Sequence, residues 1–397
     1  MNPRPAASPR PGITARLAAS VPAKAVTSAG RLAAGLAWGA VPGSWVPPVP
    51  SRARWSTGRA TEWQRDTGWL VGCNFIPSTA GNQLEMWQAD TFDSTTIDRE
   101  LGWAAALGFN SVRVFLHDLA WAADPEGFLG RVDRMLGLAA GHGITVMPVL
   151  FDGIWDPHPH VGPQPEPRPG VHNSIWAQSP GAAVVADPAR WDGLRPYVDA
   201  VMGRFGTDPR VVVWDLFNEP DSPNPAYFRA EVPGKAALMA ALVDRVFDWA
   251  QAAAPDQPLT VGVYLGIDGA VERAGALHRT ALARSDVISF HSYSPRARLG
   301  RTLDHLSRYG RPLLCTEWLA RSFGSTADLL EVFAAREVGA YCWGLVDGRT
   351  QTRWSWTSWL RRQPADAPWF HELLHADGHP WDEAEADLIR RVTGASG

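Results

Sequence analysis

The stretch that decides the fold is Val211-Val212-Val213-Trp214-Asp215-Leu216-Phe217-Asn218-Glu219-Pro220. Its β-branched and aromatic residues predict a buried strand, and the strand ends in an amide, a carboxylate and a proline. A second stretch, Arg311-Pro312-Leu313-Leu314-Cys315-Thr316-Glu317-Trp318, repeats this plan and also ends near a glutamate. Each stretch is therefore expected to present one carboxylate where its strand stops.

Six more apolar runs flank these two, which makes eight strand candidates. They cover residues 69–75, 111–116, 145–151, 211–217, 259–264, 287–291, 312–317 and 340–345. Most are near-continuous in Val, Ile, Leu, Phe, Trp and Cys. Strands that are apolar on both faces are typical of a parallel sheet covered by helices.

The segments between the strands carry helical signals and end at glycines. Helices are expected over 93–107, 126–140, 188–205, 301–309 and 325–338, followed by Gly108, Gly141 to Gly143, Gly206, Gly310 and Gly339. We expect these glycines to close the helices in the left-handed conformation. Repeated β-loop-α units, eight in about 320 residues, predict an α/β fold of the (β/α)8 TIM-barrel type. No Gly-rich dinucleotide fingerprint follows the first strand, which disfavours an open doubly wound sheet.

The chain is predicted to hold a single catalytic domain over residues 61–397, preceded by a disordered tail over residues 1–60. The tail is rich in Ala, Pro, Arg, Ser and Gly. Its apolar patch at 32–41 is broken by two glycines and begins too late for a typical signal peptide. No run reaches the roughly 18 apolar residues of a membrane span, so no membrane partner is expected. The poor signal peptide favours a cytoplasmic protein, and secretion stays open as the alternative.

The amino-acid composition limits the classes of partner that the protein is expected to bind. With 37 basic and 41 acidic residues the net charge is −4, and the absence of a basic stripe disfavours nucleic acid. The three cysteines (Cys73, Cys315 and Cys342) lie in or beside apolar runs and read as small buried hydrophobes, not as a disulfide framework or a metal site. The 20 Trp residues exceed the 14 Phe and 6 Tyr. Trp offers a flat apolar face that suits a sugar ring, although many of these residues are expected to be core.

Glu219 and Glu317 are the candidate catalytic pair. A barrel brings the carboxyl ends of strands four and seven to one cavity. Two nearby carboxyls cannot both ionise cheaply, so one can stay protonated as an acid while the other acts as a nucleophile. Such a pair of carboxyl groups is the minimum that an enzyme needs to cleave a glycosidic bond. The alternatives are that Glu219 is an ordinary loop glutamate and that Glu317 is a surface glutamate paired with Arg321.

Other polar and aromatic residues at strand ends are candidates for substrate binding. The set comprises Arg113, Asn218, His291, Tyr293, Trp343, Asn74, His117 and Asp152. Plainer roles remain open for several of them: an ion pair for Arg113, a structural histidine for His291, core packing for Trp343, and helix capping for Asn74, His117 and Asp152. No metal site and no cofactor is expected. His158-Pro159-His160 lies in a Pro-rich loop and not at the end of the first strand, which disfavours a metallohydrolase.

In combination these residues resemble glycoside hydrolase clan A, and most of all family 5, the cellulase-like retaining β-glycosidases. The resemblance covers residues 66–395. It rests on Arg113 of strand two, Asn218-Glu219-Pro220 of strand four, His291 and Tyr293 of strand six, Glu317 of strand seven and Trp343 of strand eight. It implies a (β/α)8 barrel in which Glu317 is the nucleophile, Glu219 is the acid/base, and Asn218 binds a sugar hydroxyl.

The sequence therefore predicts a retaining hydrolase of β-linked glycosides or oligosaccharides, with a carbohydrate as its partner. A transglycosylase with the same carboxylate pair and a non-hydrolytic sugar-binding barrel remain as alternatives. The long loop at 152–187 suggests that one end of the cleft is walled off. The sugar, its linkage, endo versus exo action and the oligomeric state stay open.

Overall fold

The structure, a computed structural model, describes residues 53–264 and 275–395. Eight parallel strands form its sheet, which confirms the eight predicted runs: β1 (Val71–Asn74), β2 (Ser111–Phe115), β3 (Thr145–Val149), β4 (Trp214–Asn218), β5 (Leu259–Gly262), β6 (Ile288–His291), β7 (Leu313–Trp318) and β8 (Gly339–Trp343). Their order in the sheet is β5-β4-β3-β2-β1-β8-β7-β6, and a bridge between Val263 and Phe290 joins its two edges. The predicted TIM barrel is confirmed.

Helices connect the strands and cover the outside of the barrel. They are α1 (Thr57–Thr67), α2 (Gln83–Trp87), α3 (Ser94–Ala106), α4 (Asp118–Ala123), α5 (Pro125–Gly141), α6 (Ala182–Val185), α7 (Arg195–Phe205), α8 (Lys235–Ala253), α9 (Ala276–Arg284), α10 (Arg296–Leu306), α11 (Leu329–Ala335) and α12 (Glu383–Thr393). Short 3-10 turns precede α7 and follow α10. Local sequence sets several boundaries: Asp93 and Asp124 cap the first turns of α3 and α5, as N-cap residues do.

The predicted glycine caps are correct in part. Gly108, Gly143 and Gly310 have positive φ values of 77°, 72° and 62°, as expected for left-handed caps. The prediction is wrong at Gly206, whose φ is −66°, and at Gly339, which begins β8. At Gly339 the reason is space, because a Cβ there would overlap the side chain of Leu314.

The expected tail occupies residues 1–60, and residues 1–52 lie outside the described residues. The rest of that segment packs against the barrel. Trp55 is buried, its backbone N–H donates to Asp286 at 2.7 Å, and α1 spans the expected boundary at residue 61. None of the helices in the described part of the chain has the length and apolarity needed to cross a bilayer.

Strand register places the polar strand ends at one level. Asn74 pairs with Arg113 on one side and with Trp343 on the other, and His291 pairs with Glu317. Shifts in register interrupt β4–β5, β6–β7 and β7–β8 close to these ends. Such irregularities re-aim side chains next to active sites.

Candidate active site

Glu219 and Glu317 lie at the carboxyl ends of β4 and β7, and both are almost fully buried. Their exposed fractions are 6% and 4%. The Nδ1 atom of His291 is hydrogen-bonded to Oε1 of Glu219 at 2.8 Å and lies 3.4 Å from Oε2 of Glu317. One carboxylate oxygen of each glutamate lies within 4.8 Å of the other. The structure therefore brings the two predicted carboxylates together, with an imidazole between them.

The backbone of Glu219 is unusual, because its φ of 41° falls in the left-handed region that non-glycine residues rarely adopt. Its N–H donates to the carbonyl of Gly262 at 2.9 Å, which holds the residue against β5. The following Pro220 further restricts the preceding residue. Strained conformations of this kind persist where the surrounding structure enforces them, and they are concentrated at functional sites.

Arg113 organises the floor of the site. Its buried guanidinium donates to Oε1 of Glu317 at 2.9 Å, to Oδ1 of Asn218 at 2.7 Å and to Oδ1 of Asn74 at 2.8 Å. It also donates through Nε and Nη2 to Oδ2 of Asp215, at 3.0 and 2.8 Å. One residue thus fixes strand ends from β1, β4 and β7 relative to β2.

The two carboxyls have different surroundings. Tyr293 donates its hydroxyl to Oε2 of Glu317 at 2.7 Å, so Glu317 accepts from Tyr293 on one oxygen and from Arg113 on the other. Burial raises the pKa of Glu317 to about 7, while the positive charge of Arg113 and the Tyr293 hydroxyl oppose that rise. Burial, followed by the negative charges of Asp221 and Asp152, raises the pKa of Glu219 well above its usual range.

His291 is a neutral hydrogen-bonding group at neutral pH, because burial lowers its pKa to about 4. Its other nitrogen, Nε2, faces Gly262, where a Cβ would lie only 3.1 Å away. The same Cβ would lie 3.2 Å from Asp215 and 3.3 Å from Arg113. Gly262 therefore leaves space for three polar side chains to meet.

Asn74 and Asp152 lie beside the site and make protein contacts. Asn74 donates to the carbonyls of Thr316 and Cys342 and accepts from Arg113, so it positions the arginine. Asp152 accepts from Asn218 at 2.9 Å and is buried, and burial raises its pKa to about 6. Since the Asn218 amide nitrogen carries two hydrogens, Asp152 takes one and leaves the second for another acceptor.

His117 is also buried, and its Nδ1 accepts from the backbone N–H of Leu119, the second residue of α4. It serves as the N-cap of that helix, which was one of the open alternatives. Trp343 is 8% exposed and packs edge-on against Phe115 and Trp176, with ring centroids 5.7 and 5.6 Å apart. Among the predicted residues, the carboxylate pair thus has direct contacts with Arg113, His291 and Tyr293.

Sequence reasoning missed Asp215 and Gly262. The signal for Asp215 was present, since a carboxylate inside a Val-rich strand needs a buried partner. Gly262 gave no comparable signal, because the need for it arises only where β4 and β6 approach β5.

Within the described residues, Glu219, His291 and Glu317 form the one group of three side chains whose ligand atoms are close enough to hold a metal ion. Arg113 places a permanent positive charge 2.9 Å from Glu317, which opposes a second cation there. His158 and His160 are exposed on the β3 loop and belong to no such group.

The fold is similar to that of glycoside hydrolases of known structure. GH5_18 from Streptomyces cattleya, in complex with GlcNAc, is 17% identical, with coverage of 83% of this chain and 82% of that chain and a TM-score of 0.54. An exo-β-1,4-mannosidase from Opitutaceae bacterium strain TAV5 is 18% identical, with coverage of 82% and 60% and a TM-score of 0.53. GH5_18 from Bifidobacterium longum, in complex with Manβ1-4GlcNAc, is 15% identical, with coverage of 82% and 78% and a TM-score of 0.53.

At these identities the likeness concerns the fold. No family model matches the sequence, and no curated protein matches it.

Proposed function

We propose that this protein is a retaining glycoside hydrolase, in which Glu317 is the nucleophile and Glu219 is the acid/base. The observation that carries the proposal is the approach of the two carboxylates, with one oxygen of each within 4.8 Å of the other. Retaining enzymes hold their carboxyls about 5–5.5 Å apart, whereas inverting enzymes need about 6.5–9.5 Å to admit a water between them.

The difference in surroundings supports the assignment of roles. Arg113 and Tyr293 both favour the ionised form of Glu317, which a nucleophile requires. Among the described residues, none with a cationic side chain is bonded to Glu219, which contacts a neutral histidine and so retains the proton that an acid must deliver.

In the first step Glu317 attacks the anomeric carbon, while Glu219 gives its proton to the leaving glycosidic oxygen. In the second step Glu219 takes a proton from water, the water oxygen attacks the anomeric carbon, and the bond to Glu317 breaks. The free N–H of Asn218 is suited to a hydroxyl of the bound sugar. Trp343 supplies an apolar face beside the ring.

The test compares wild type with Glu317→Gln and Glu219→Gln on aryl β-glucosides, aryl β-mannosides and β-1,4-linked oligosaccharides of both sugars. The mannosides are included because two of the fold neighbours concern β-mannosyl ligands or linkages. On the oligosaccharides, whose leaving groups need protonation, we expect both variants to lose about 10³-fold or more in kcat/KM. Glu100→Gln is the matched control, since Glu100 is equally buried in α3 and bonded to Ser78.

Two further readouts separate the roles of the glutamates. A dinitrophenyl leaving group needs no protonation, so it should restore glycosyl-enzyme formation in Glu219→Gln but not in Glu317→Gln. The first product seen by NMR should be the β-anomer. A first product with the α configuration would contradict retention, and full activity in either variant would contradict the assigned pair.

A further inference from the structure

The loops that follow β1, β3 and β8 are fastened to one another across the mouth of the barrel. We call residues 78–88, 162–178 and 347–360 the three-loop wall. Between its β3 and β8 parts, the N–H of Asn173 donates to the carbonyl of Thr350 at 2.9 Å, and Nε1 of Trp359 donates to the carbonyl of His172 at 2.7 Å. The N–H of His172 donates in return to Oγ of Ser358 at 3.0 Å.

The β1 part closes the wall on its remaining sides. Asn82 donates to the carbonyl of Ile175 at 2.8 Å, which joins it to the β3 part. Arg349 pairs with Glu85 at 2.9 Å, and its backbone N–H donates to the carbonyl of Ser78 at 3.0 Å, which joins the β8 part to the β1 part. Each of the three loops is thus bonded to both of the others.

Trp359 joins the β8 part of the wall to the β3 and β4 loops. One neighbour is Trp155, whose ring stacks on it at 5.6 Å and 15°, and the guanidinium of Arg168 lies 4.0 Å from its ring centroid. Tyr227, from the β4 loop, meets it edge-on at 5.4 Å. Stacking, a cation–π contact and a hydrogen bond together hold this part of the wall in one position.

The wall stands over the end of the site that would hold the sugar. Trp356 packs edge-on against Tyr293 at 5.0 Å, and Tyr293 donates to Glu317. Trp176 packs against Trp343 on the same side. The acid must reach the leaving oxygen, so the departing group lies towards Glu219 and β4, while the retained sugar lies under the wall.

We propose that the site is a pocket closed on the sugar side, which accepts only the terminal sugar of a chain and makes the protein an exo-acting glycosidase. This inference rests on the proposed function. A chain that continued past the terminal ring would have to separate loops held by several buried hydrogen bonds and stacked rings. Both carboxylates are more than nine-tenths buried, which agrees with access from one side.

The test uses p-nitrophenyl β-glycosides of glucose and mannose beside the corresponding β-1,4-linked disaccharide glycosides blocked by a 4,6-O-benzylidene group on the outer sugar. Only an enzyme that tolerates a second, blocked sugar on that side can release nitrophenol from the blocked compounds. We expect the free monosaccharide glycosides to be cleaved and the blocked compounds to react about 100-fold more slowly or not at all.

The outcomes distinguish the two proposals. Cleavage of a blocked compound within about tenfold of the free one would overturn the closed pocket and leave the hydrolase standing. Cleavage of neither by wild type, with the unblocked oligosaccharides also intact, would overturn the proposed function and the pocket with it.

Trp359→Ala tests the wall itself, and Trp381→Ala is its matched control. Trp381 also stacks on a tryptophan, Trp369, at 6.0 Å and 19°, and also lies under an arginine, Arg321, at 4.6 Å. We expect the ratio of blocked to free cleavage to rise about tenfold or more in Trp359→Ala and to stay unchanged in Trp381→Ala. If the alanine variant does not fold, Trp359→Phe removes the Nε1–H bond and keeps a stacked ring. An unchanged ratio in a folded Trp359 variant would contradict the role of the wall.

Discussion

At the scale of the residue, the proposed mechanism requires two carboxyls that differ in charge at the same pH. Glu317 has a hydrogen-bond donor on each oxygen, and Glu219 lies against a neutral imidazole. Burial raises the pKa of both carboxyls. Arg113 and Tyr293 bond to Glu317 and not to Glu219, whereas the negative charges of Asp221 and Asp152 raise the pKa of Glu219 further. These unequal surroundings separate the proposed acid from the proposed nucleophile.

This difference predicts a bell-shaped pH profile of kcat/KM. Protonated Glu317 cannot attack, and its pKa is raised to about 7, so activity should rise with pH through about 7. The pKa of Glu219 is raised well above its usual range, and activity should fall at higher pH as this acid loses its proton. A profile that is highest at pH 4–5 would contradict these assignments.

Tyr293→Phe should move the rising limb of that profile to higher pH. The variant removes a hydrogen bond that favours ionised Glu317, so the pKa of Glu317 should rise by about 0.5–1 unit. Tyr341→Phe is the matched control, since its buried hydroxyl donates to Ser111 and not to the pair. Initial rates measured from pH 5 to 10 give both limbs of the pH profile. Equal shifts in the two variants would contradict a specific role for Tyr293.

Much of the site was predictable from the sequence, because polar residues that end apolar strands must converge at one end of a barrel. That reasoning brought Glu219, Glu317, Arg113, His291 and Tyr293 together. It could not assign partners to Asn74 or His117, because strand position does not reveal which carbonyl or N–H lies opposite. In the structure, Asn74 accepts a hydrogen bond from Arg113, and His117 accepts one from the backbone at the start of α4.

At the scale of the element, close packing of neighbouring strands sets what each position tolerates. All eight strands could be predicted because runs that are apolar on both faces have few other places in a soluble fold. The roles of the glycines were harder to predict, because a glycine can be required either for a positive φ or because a Cβ would not fit. Gly310 has a positive φ, whereas a Cβ at Gly339 would overlap the side chain of Leu314. Only the neighbouring residues distinguish the two cases.

Gly72→Ala should strongly destabilise the barrel, whereas Gly130→Ala should stabilise it slightly. A Cβ at Gly72 would overlap the carbonyl of Ser111, so β1 and β2 could not keep their register. Gly130 lies in α5 with open space around its Cβ position, and alanine there should add about 0.5–1 kcal/mol. Urea unfolding curves measure both changes.

The loss for Gly72→Ala should exceed about 4 kcal/mol, the range reached only by severe steric or packing faults. Arg113 lies two residues after Ser111, so activity should be lost together with stability. A Gly72→Ala protein that unfolds at the wild-type urea concentration would contradict the close β1–β2 contact.

At the scale of the whole molecule, the candidate active site and a second buried cluster lie at opposite ends of the barrel. The carboxylates and the three-loop wall lie at the carboxyl ends of the strands, as in other barrels of this type. The opposite end is filled by a buried cluster that includes Leu70, Met147 and Tyr341, with Trp63 of α1 packed against it. At the first end, the sequence indicated which polar strand ends lie together. It assigned residues 53–60 to a tail, because a short polar helix with one buried tryptophan gives little periodic signal.

Trp55→Ala should therefore reduce stability and leave catalysis intact. Trp55 is buried, its carbonyl accepts from Arg311 at 2.7 Å, and Arg59 lies 4.0 Å from its ring centroid. Removing a buried Trp side chain costs about 3–5 kcal/mol, so the urea midpoint should fall clearly. Below that midpoint kcat/KM should equal the wild-type value, since these contacts lie away from Glu219 and Glu317. Unchanged stability would contradict the stabilising role of Trp55, and a reduced kcat/KM in the folded variant would show that the two ends are not independent.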